Sequence, residues 1–264
     1  MSDAELGNYD AIKSRRYIAE DFLAETRFHK VRHVVHVQAA LGSPDPVTET
    51  AWLQQSADRC GVPHGIIAYA DLAAPNAREI LARHAAFSNL RGIRDLRYDG
   101  YLTDESWQRG FALVQEYGFV FCDDPLLEHM DTLAVLAERF PGITICIDHA
   151  GFPRERDTEY FKRWHEHMKR LARRQNTVVK ISGLGMCDHE WGVESLRPWV
   201  LACIDLWGPH RAFFGTNWPV DRLYSSYGDV VEAYAEIISG FEPAEKEALF
   251  AGTADRVFKL ESAE

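Results

Sequence analysis

Seven short apolar runs alternate with longer amphipathic stretches along the 264-residue chain, and this rhythm restricts the fold more than any other feature. The runs are HVVHVQA (33–39), HGIIAYA (64–70), LRGIRDL (90–96), GFVFCD (118–123), ITICIDH (143–149), TVVKISG (177–183) and RAFFGTN (211–217). Between or after them, apolar positions recur every three to four residues over 47–60, 76–86, 104–117, 126–139, 158–173, 193–206 and 228–239. That period marks helices with one buried face. Runs nearly continuous in apolar residues belong to strands covered on both faces. Strict β–α alternation predicts a parallel sheet with right-handed crossovers.

For this length the leading expectation is an α/β chain of the (β/α)8 TIM-barrel type, one domain over 1–264. A doubly wound sheet would want a glycine-rich phosphate turn after its first strand. QAALGSPDP contains no G-x-G-x-x-G. Only seven strands are found. The stretch before the first offers a helix over roughly 17–26 but no strand. A barrel short of a strand has two open edges, so the expectation is an incomplete barrel with strand 1 missing.

Composition narrows the function classes. Forty acidic against 29 basic side chains give a net charge of -11, which argues against non-specific nucleic-acid binding. It leaves a small acidic substrate open, since a few arginines can line a pocket. The five cysteines are odd in number and never spaced C-x-x-C, so neither a disulfide framework nor a zinc knuckle is indicated. The N-terminus has no basic segment followed by an apolar one, and no apolar run approaches 18 residues. The expectation is a cytoplasmic protein with a small-molecule substrate, no nucleic-acid or membrane partner, and oligomerisation left open.

In a parallel barrel the chemistry gathers at the C-terminal ends of the strands. The polar residues there are Gln38, Asp71, Arg94, Asp148, His149, Ser182, Asn217, Trp218 and Asp221. His149 can act as an acid, base or carbonyl donor, or be a satisfied core histidine. His36 sits in mid-strand and is open to a core or a site role. Arg91 and Arg97 share strand parity and Arg94 opposes them. An inward Arg94 would clamp a carboxylate or polarised carbonyl, and Arg97 would turn into the mouth beyond the strand. Helix-facing ion pairs are the alternative for both.

ITICIDHAGFPRERD, VVKISGLGM and FFGTNWPVDRLYSSY, with HVVHVQA, IIAYADLAAPN and LRGIRDLRYDG in matching order, resemble the amidohydrolase-related family. This is the amidohydrolase branch that includes sugar-lactone and dicarboxylate-lactone hydrolases. The resemblance implies a (β/α)8 hydrolase that opens a lactone or related ester of a small sugar acid or dicarboxylate. In that family an H-x-H pair ends the first strand, a histidine ends the sixth and an aspartate usually ends the eighth. Metal-dependent relatives bind a divalent ion there; lactonase relatives can work without one. Here no H-x-H precedes residue 30, and Asn217 holds the eighth-strand position. No metal is therefore expected unless a first strand carrying H-x-H is present. The implied site has His149 polarising the carbonyl and Arg94, Arg97 and Ser182 holding substrate. Trp218 walls the pocket, and Asp221 either supplies the carboxylate that Asn217 lacks or pairs with Arg222 to hold the loop. A catalytically impaired binding protein and a metal-dependent decarboxylase are the competing readings.

Overall fold

The computed structural model describes residues 16–39, 43–95 and 100–260. All seven apolar runs are strands: β1 Val35–Val37, β2 Gly65–Tyr69, β3 Leu90–Arg94, β4 Val120–Asp123, β5 Ile145–Ile147, β6 Thr177–Ile181 and β7 Ala212–Phe214. They lie in sequence order in one sheet, each neighbour parallel. This singly wound order rules out a doubly wound sheet, whose strand order reverses at a switch point. The sheet curls into a half-barrel. Among the described residues no eighth strand joins β7 to β1.

The helices are α1 Ala19–Thr26, α2 Val47–Cys60, α3 Ala77–Ala85, α4 Glu105–Glu116, α5 Met130–Arg139, α6 Thr158–Ala172, α7 Val193–Trp207 and α8 Tyr227–Ile237. Their ends are chemically marked. The Asp157 carboxylate accepts the Glu159 and Tyr160 N–H groups at the start of α6, and Gly61, at φ 82°, ends α2 in the left-handed region. The periodicity missed the C-terminal pieces α9 Pro243–Glu247 and α10 Thr253–Val257. A π turn over Ala248–Gly252 separates them and shifts the apolar period partway.

The two faces of the sheet bury different clusters. Alternate residues such as Ile66, Ile93, Phe121, Ile147, Val179 and Ile181 pack against the helices. The opposite, inner face carries Ile67, Val120, Cys122, Cys146, Val178 and Phe213, capped by Val257, Phe258 and Leu260. Ion pairs tie this C-terminal cap to the start of β1: His33 Nδ1 lies 2.7 Å from Asp255 Oδ1, and Arg32 Nη1 lies 3.0 Å from Asp255 Oδ2. All five cysteines are free thiols. No described helix is long and apolar enough to cross a membrane.

A bulge decides which β3 residues face inward. Ile66 pairs with Leu90 but Ile67 pairs with Gly92, so Arg91 is the extra residue. Arg94 thereby shares the inner face with Gly92, while one Arg91 nitrogen donates back to the Ser88 and Leu90 carbonyls at the opposite end. Gly92 is required by close approach: a Cβ there would lie 2.4 Å from the Val120 carbonyl oxygen and 2.8 Å from Ile67 Cδ1. Gly92→Ala is expected to cost about 1–3 kcal/mol through overpacking. A lowered urea midpoint at unchanged slope would register it, and an unchanged midpoint would show that the bulge can relax.

Candidate active site

Three successive strands end in left-handed backbone. After β5, His149 (φ 51°), Ala150 (φ 54°), Gly151 (φ 67°) and Phe152 (φ 46°) form a short reversed turn. After β6 the turn passes through Gly183 (φ 62°), and after β7 through Asn217 (φ 53°). Consecutive left-handed residues with side chains are costly and persist only when their surroundings hold them. Here the Trp164 indole N–H from α6 donates to the Ala150 carbonyl at 2.9 Å. The turns converge on one point: a Cβ on Gly183 would lie 2.6 Å from His149 Nδ1 and 3.1 Å from Asn217 Nδ2.

Below this point an ionic network crosses the inner face. Asp148 is fully enclosed; its Oδ1 lies 3.0 Å from Lys180 Nζ and its Oδ2 lies 3.4 Å from Arg94 Nη1. Arg94 extends the chain to β1, where its Nε and Nη2 donate to Gln38 Oε1 at 2.9 and 2.7 Å and Nη2 to the Gln38 carbonyl at 3.0 Å. Burial pushes the Asp148 pKa up, but Lys180, His149 and Arg94 together outweigh it and hold the carboxyl below its usual range. Burial likewise disfavours charge on Lys180, and Asp148 overcomes it, so the ammonium sits above its usual value. Nearby, Asp123 is pushed well above the carboxylate range by burial first and then by Asp124, and accepts the Tyr101 hydroxyl at 2.5 Å.

His149 and Asp221 have complementary environments. Burial first, and then the Lys180 charge, pushes His149 down to about 3, so its ring is neutral at physiological pH. Its Nδ1 lies 3.0 Å from Ser182 Oγ, which is where Ser182 is placed: against the histidine. Asp221 follows β7 on a 3-10 turn, and burial pushes its carboxyl up to about 7 against the opposing effect of the Asn217 amide and the Gly183 backbone. Yet Asn217 Nδ2 and Asp221 Oδ1 are both buried without a hydrogen-bond partner. Asp221 Oδ1 lies 3.2 Å from the position of a Cβ on Gly185, in the turn after β6.

The other expected residues are placed as follows. Arg94 points inward, but its fork is occupied by Gln38 and Asp148. Trp218 turns toward α1, donating its indole N–H to Glu25 Oε2 at 2.9 Å; Arg222 pairs with the same Glu25 at 3.1 Å, not with Asp221. Arg97 lies outside the described residues. His36 faces Glu49 Oε1 at 3.4 Å, and Asp71 caps its own turn at the Ala73 N–H. Sequence reasoning missed Lys180, although a lysine inside VVKI, on the parity of Val178 and Ser182, was a signal for an inward charge.

Among the described residues one cluster has the spacing of metal ligands: Cys122, Cys146 and Asp148, all buried. Its chemistry does not fit a catalytic divalent ion. Asp148 already serves two cations, and burial, followed by the adjacent Cys122, holds Cys146 as a thiol well above its usual pKa.

Parallel β–α units with polar groups converging at the strand ends are the arrangement of a barrel-type active site. Residues 3–260 match the amidohydrolase family model, and the chain belongs to that family. A protein of Sinorhizobium fredii is 35% identical over 98% of this chain and 91% of its own length. An L-fucono-1,5-lactonase of Burkholderia multivorans is 29% identical, covering 92% of this chain and 88% of its own. An amidohydrolase crystal structure from Burkholderia multivorans with bound HEPES superposes with a TM-score of 0.87 at 26% identity, covering 97% and 93% of the two chains. A second crystal form of that amidohydrolase contains zinc (TM-score 0.86, 25% identity, 98% and 95% coverage).

Removing the shared carboxylate should be costly. Asp148→Asn leaves Lys180 and Arg94 facing each other without a counter-charge, which is expected to destabilise by about 3–5 kcal/mol. Equilibrium urea unfolding measures this. A loss below about 1 kcal/mol would mean that the cations find other partners.

Proposed function

We propose that this protein hydrolyses a sugar 1,5-lactone, without a catalytic metal. The observation that carries the reading is the pairing, around Gly183, of a neutral His149 with an Asp221 carboxyl poised near neutrality. Lactonase-named relatives at 29% identity support the substrate class. Among the described residues the β1 and β7 edges are unpaired, which supports reading the curled sheet as part of a barrel.

In this mechanism Asp221 takes a proton from water, and the resulting hydroxide adds to the lactone carbonyl. The ring oxygen leaves and receives that proton from Asp221. His149 donates its Nε2–H to the carbonyl oxygen as charge builds; this requires the Ser182 hydroxyl to donate to Nδ1. Asn217 Nδ2, buried and without a partner, is the second donor of the set. Asp221 is only 3% exposed, so the turns after β6 and β7 must part to admit water.

The test is hydrolysis of a 1,5-aldonolactone panel, followed by proton release before and after chelation. Turnover insensitive to chelator is expected. Because the base must be ionised, kcat/KM should rise with pH through an inflection near 7. Absence of lactone turnover overturns the reading, as does its abolition by chelator. His149→Asn tolerates the left-handed backbone and should lose about 100- to 1000-fold in kcat with little change in Tm.

Asp221 also makes a stability prediction. Its folded pKa is raised from 3.8 to about 7. Between these values the folded state binds the extra proton, so its contribution falls as pH rises through 7. Asp221→Asn should therefore stabilise the protein more at pH 8 than at pH 5, by an amount on the order of a few kcal/mol, while removing most activity. Thermal unfolding at the two pH values checks the sign.

A further inference from the structure

Two cations share one carboxylate on the inner face, but they are not equally committed. Arg94 uses Nε, Nη1 and Nη2 on Gln38 and Asp148. Lys180 has one side-chain partner among the described residues, Asp148, whose Oδ1 lies 3.0 Å from its Nζ. An ammonium has three donors. Asp148 is wholly enclosed, whereas 13% of the Lys180 side chain is open. The lysine stem lies on Gly215 beyond β7: a Cβ there would sit 3.3 Å from Lys180 Cγ and Cδ. Even an alanine at 215 would press the stem aside by a few tenths of an ångström. One carboxylate between two cations leaves the trio a net positive charge, inside a chain of net charge -11.

We propose that Lys180 is a substrate-contacting residue of this site, its ammonium donating to an oxygen of the bound sugar lactone and pairing with the carboxylate of the aldonate product. Asp148 keeps the lysine in place, and Gln38 withdraws Arg94 from competing for the same oxygen. The assignment rests on the lactonase reading for its substrate class. It moves the anion-recognition role from the arginine fork to a point charge, which favours a single oxygen over a planar bidentate grip.

The experiment measures KM and kcat for L-fucono-1,5-lactone and D-glucono-1,5-lactone, and the Kd of L-fuconate and D-gluconate by calorimetry. The proteins are the parent, Lys180→Met, Lys180→Arg and the double variant Lys180→Met/Asp148→Asn, which removes two opposite charges together and guards against misfolding of the single variant. Lys180→Met and the double variant should weaken aldonate binding and raise KM about tenfold or more, with a smaller effect on kcat. Lys180→Arg should recover part of the binding, whereas the double variant, in which no Asp148 charge is left facing residue 180, should not; a structural role alone would be relieved by both. If the parent hydrolyses lactone while Lys180→Met or the double variant keeps parental KM and aldonate Kd, this assignment falls and the lactonase reading stands. A parent that neither hydrolyses these lactones nor binds their aldonates removes both.

Discussion

A single enclosed carboxylate, Asp148, organises the inner face of the half-barrel. Through Lys180 it reaches β6; through Arg94 it reaches β3; through the Arg94–Gln38 bonds it reaches the end of β1. Four strands that are not all neighbours are thus linked across space by side chains. Buried ion pairs add little net stability, because desolvation offsets most of the attraction. Their effect is selective: other arrangements of these strands would strand a charge. With open edges at β1 and β7 among the described residues, this polar link resists splaying where a closed ring would resist it through backbone pairing.

The same link divides the chemistry of two aspartates. Asp148 and Asp221 are both buried at strand ends. Two cations flank the first and hold it ionised, whereas among the described residues no cation pairs with the second and burial raises it to about 7. Groups whose surroundings push them apart in this way take separate roles. His149 follows Asp148 directly in sequence, yet the left-handed backbone turns its ring away to Ser182 and the Gly183 turn. Neighbours in the chain therefore face different compartments, one an ionic floor and the other a neutral wall.

Much of this was legible in the sequence. Short apolar runs set between amphipathic stretches read as doubly covered strands, and the β–α rhythm gave the parallel direction, with the missing glycine-rich turn favouring the singly wound order. Strand-end reasoning pointed to His149, Asn217, Asp221 and Arg94, and the structure gathers them at the ends of β3, β5 and β7. Lys180 was not legible because it lies inside an apolar run, where a lysine reads equally as a residue of the outer face. Arg94 was expected to have a free fork; nothing in LRGIRDL reveals that Gln38, 56 residues earlier, occupies it. The Trp218 indole is fixed by Glu25, 193 residues away, a contact that no local reading of the sequence shows. The β3 bulge was invisible because one extra residue leaves no mark on composition, only on parity.

The C-terminal cap has a consequence for how the protein is made. Phe258 and Leu260 fill the inner face beside Ile67 and Phe213, and Arg32 reaches Glu247 across 215 residues and Asp255 across 223. While the chain is being synthesised, the helix-facing layers can form in order as each β–α unit leaves the ribosome. The inner face has no such sequence of partners. Its apolar surface stays wet until residues 243–260 emerge, and contacts of such long sequence separation form slowly. The nascent half-barrel is then a sheet with one finished side, and the interval before its floor arrives is when a chaperone would have the most surface to hold.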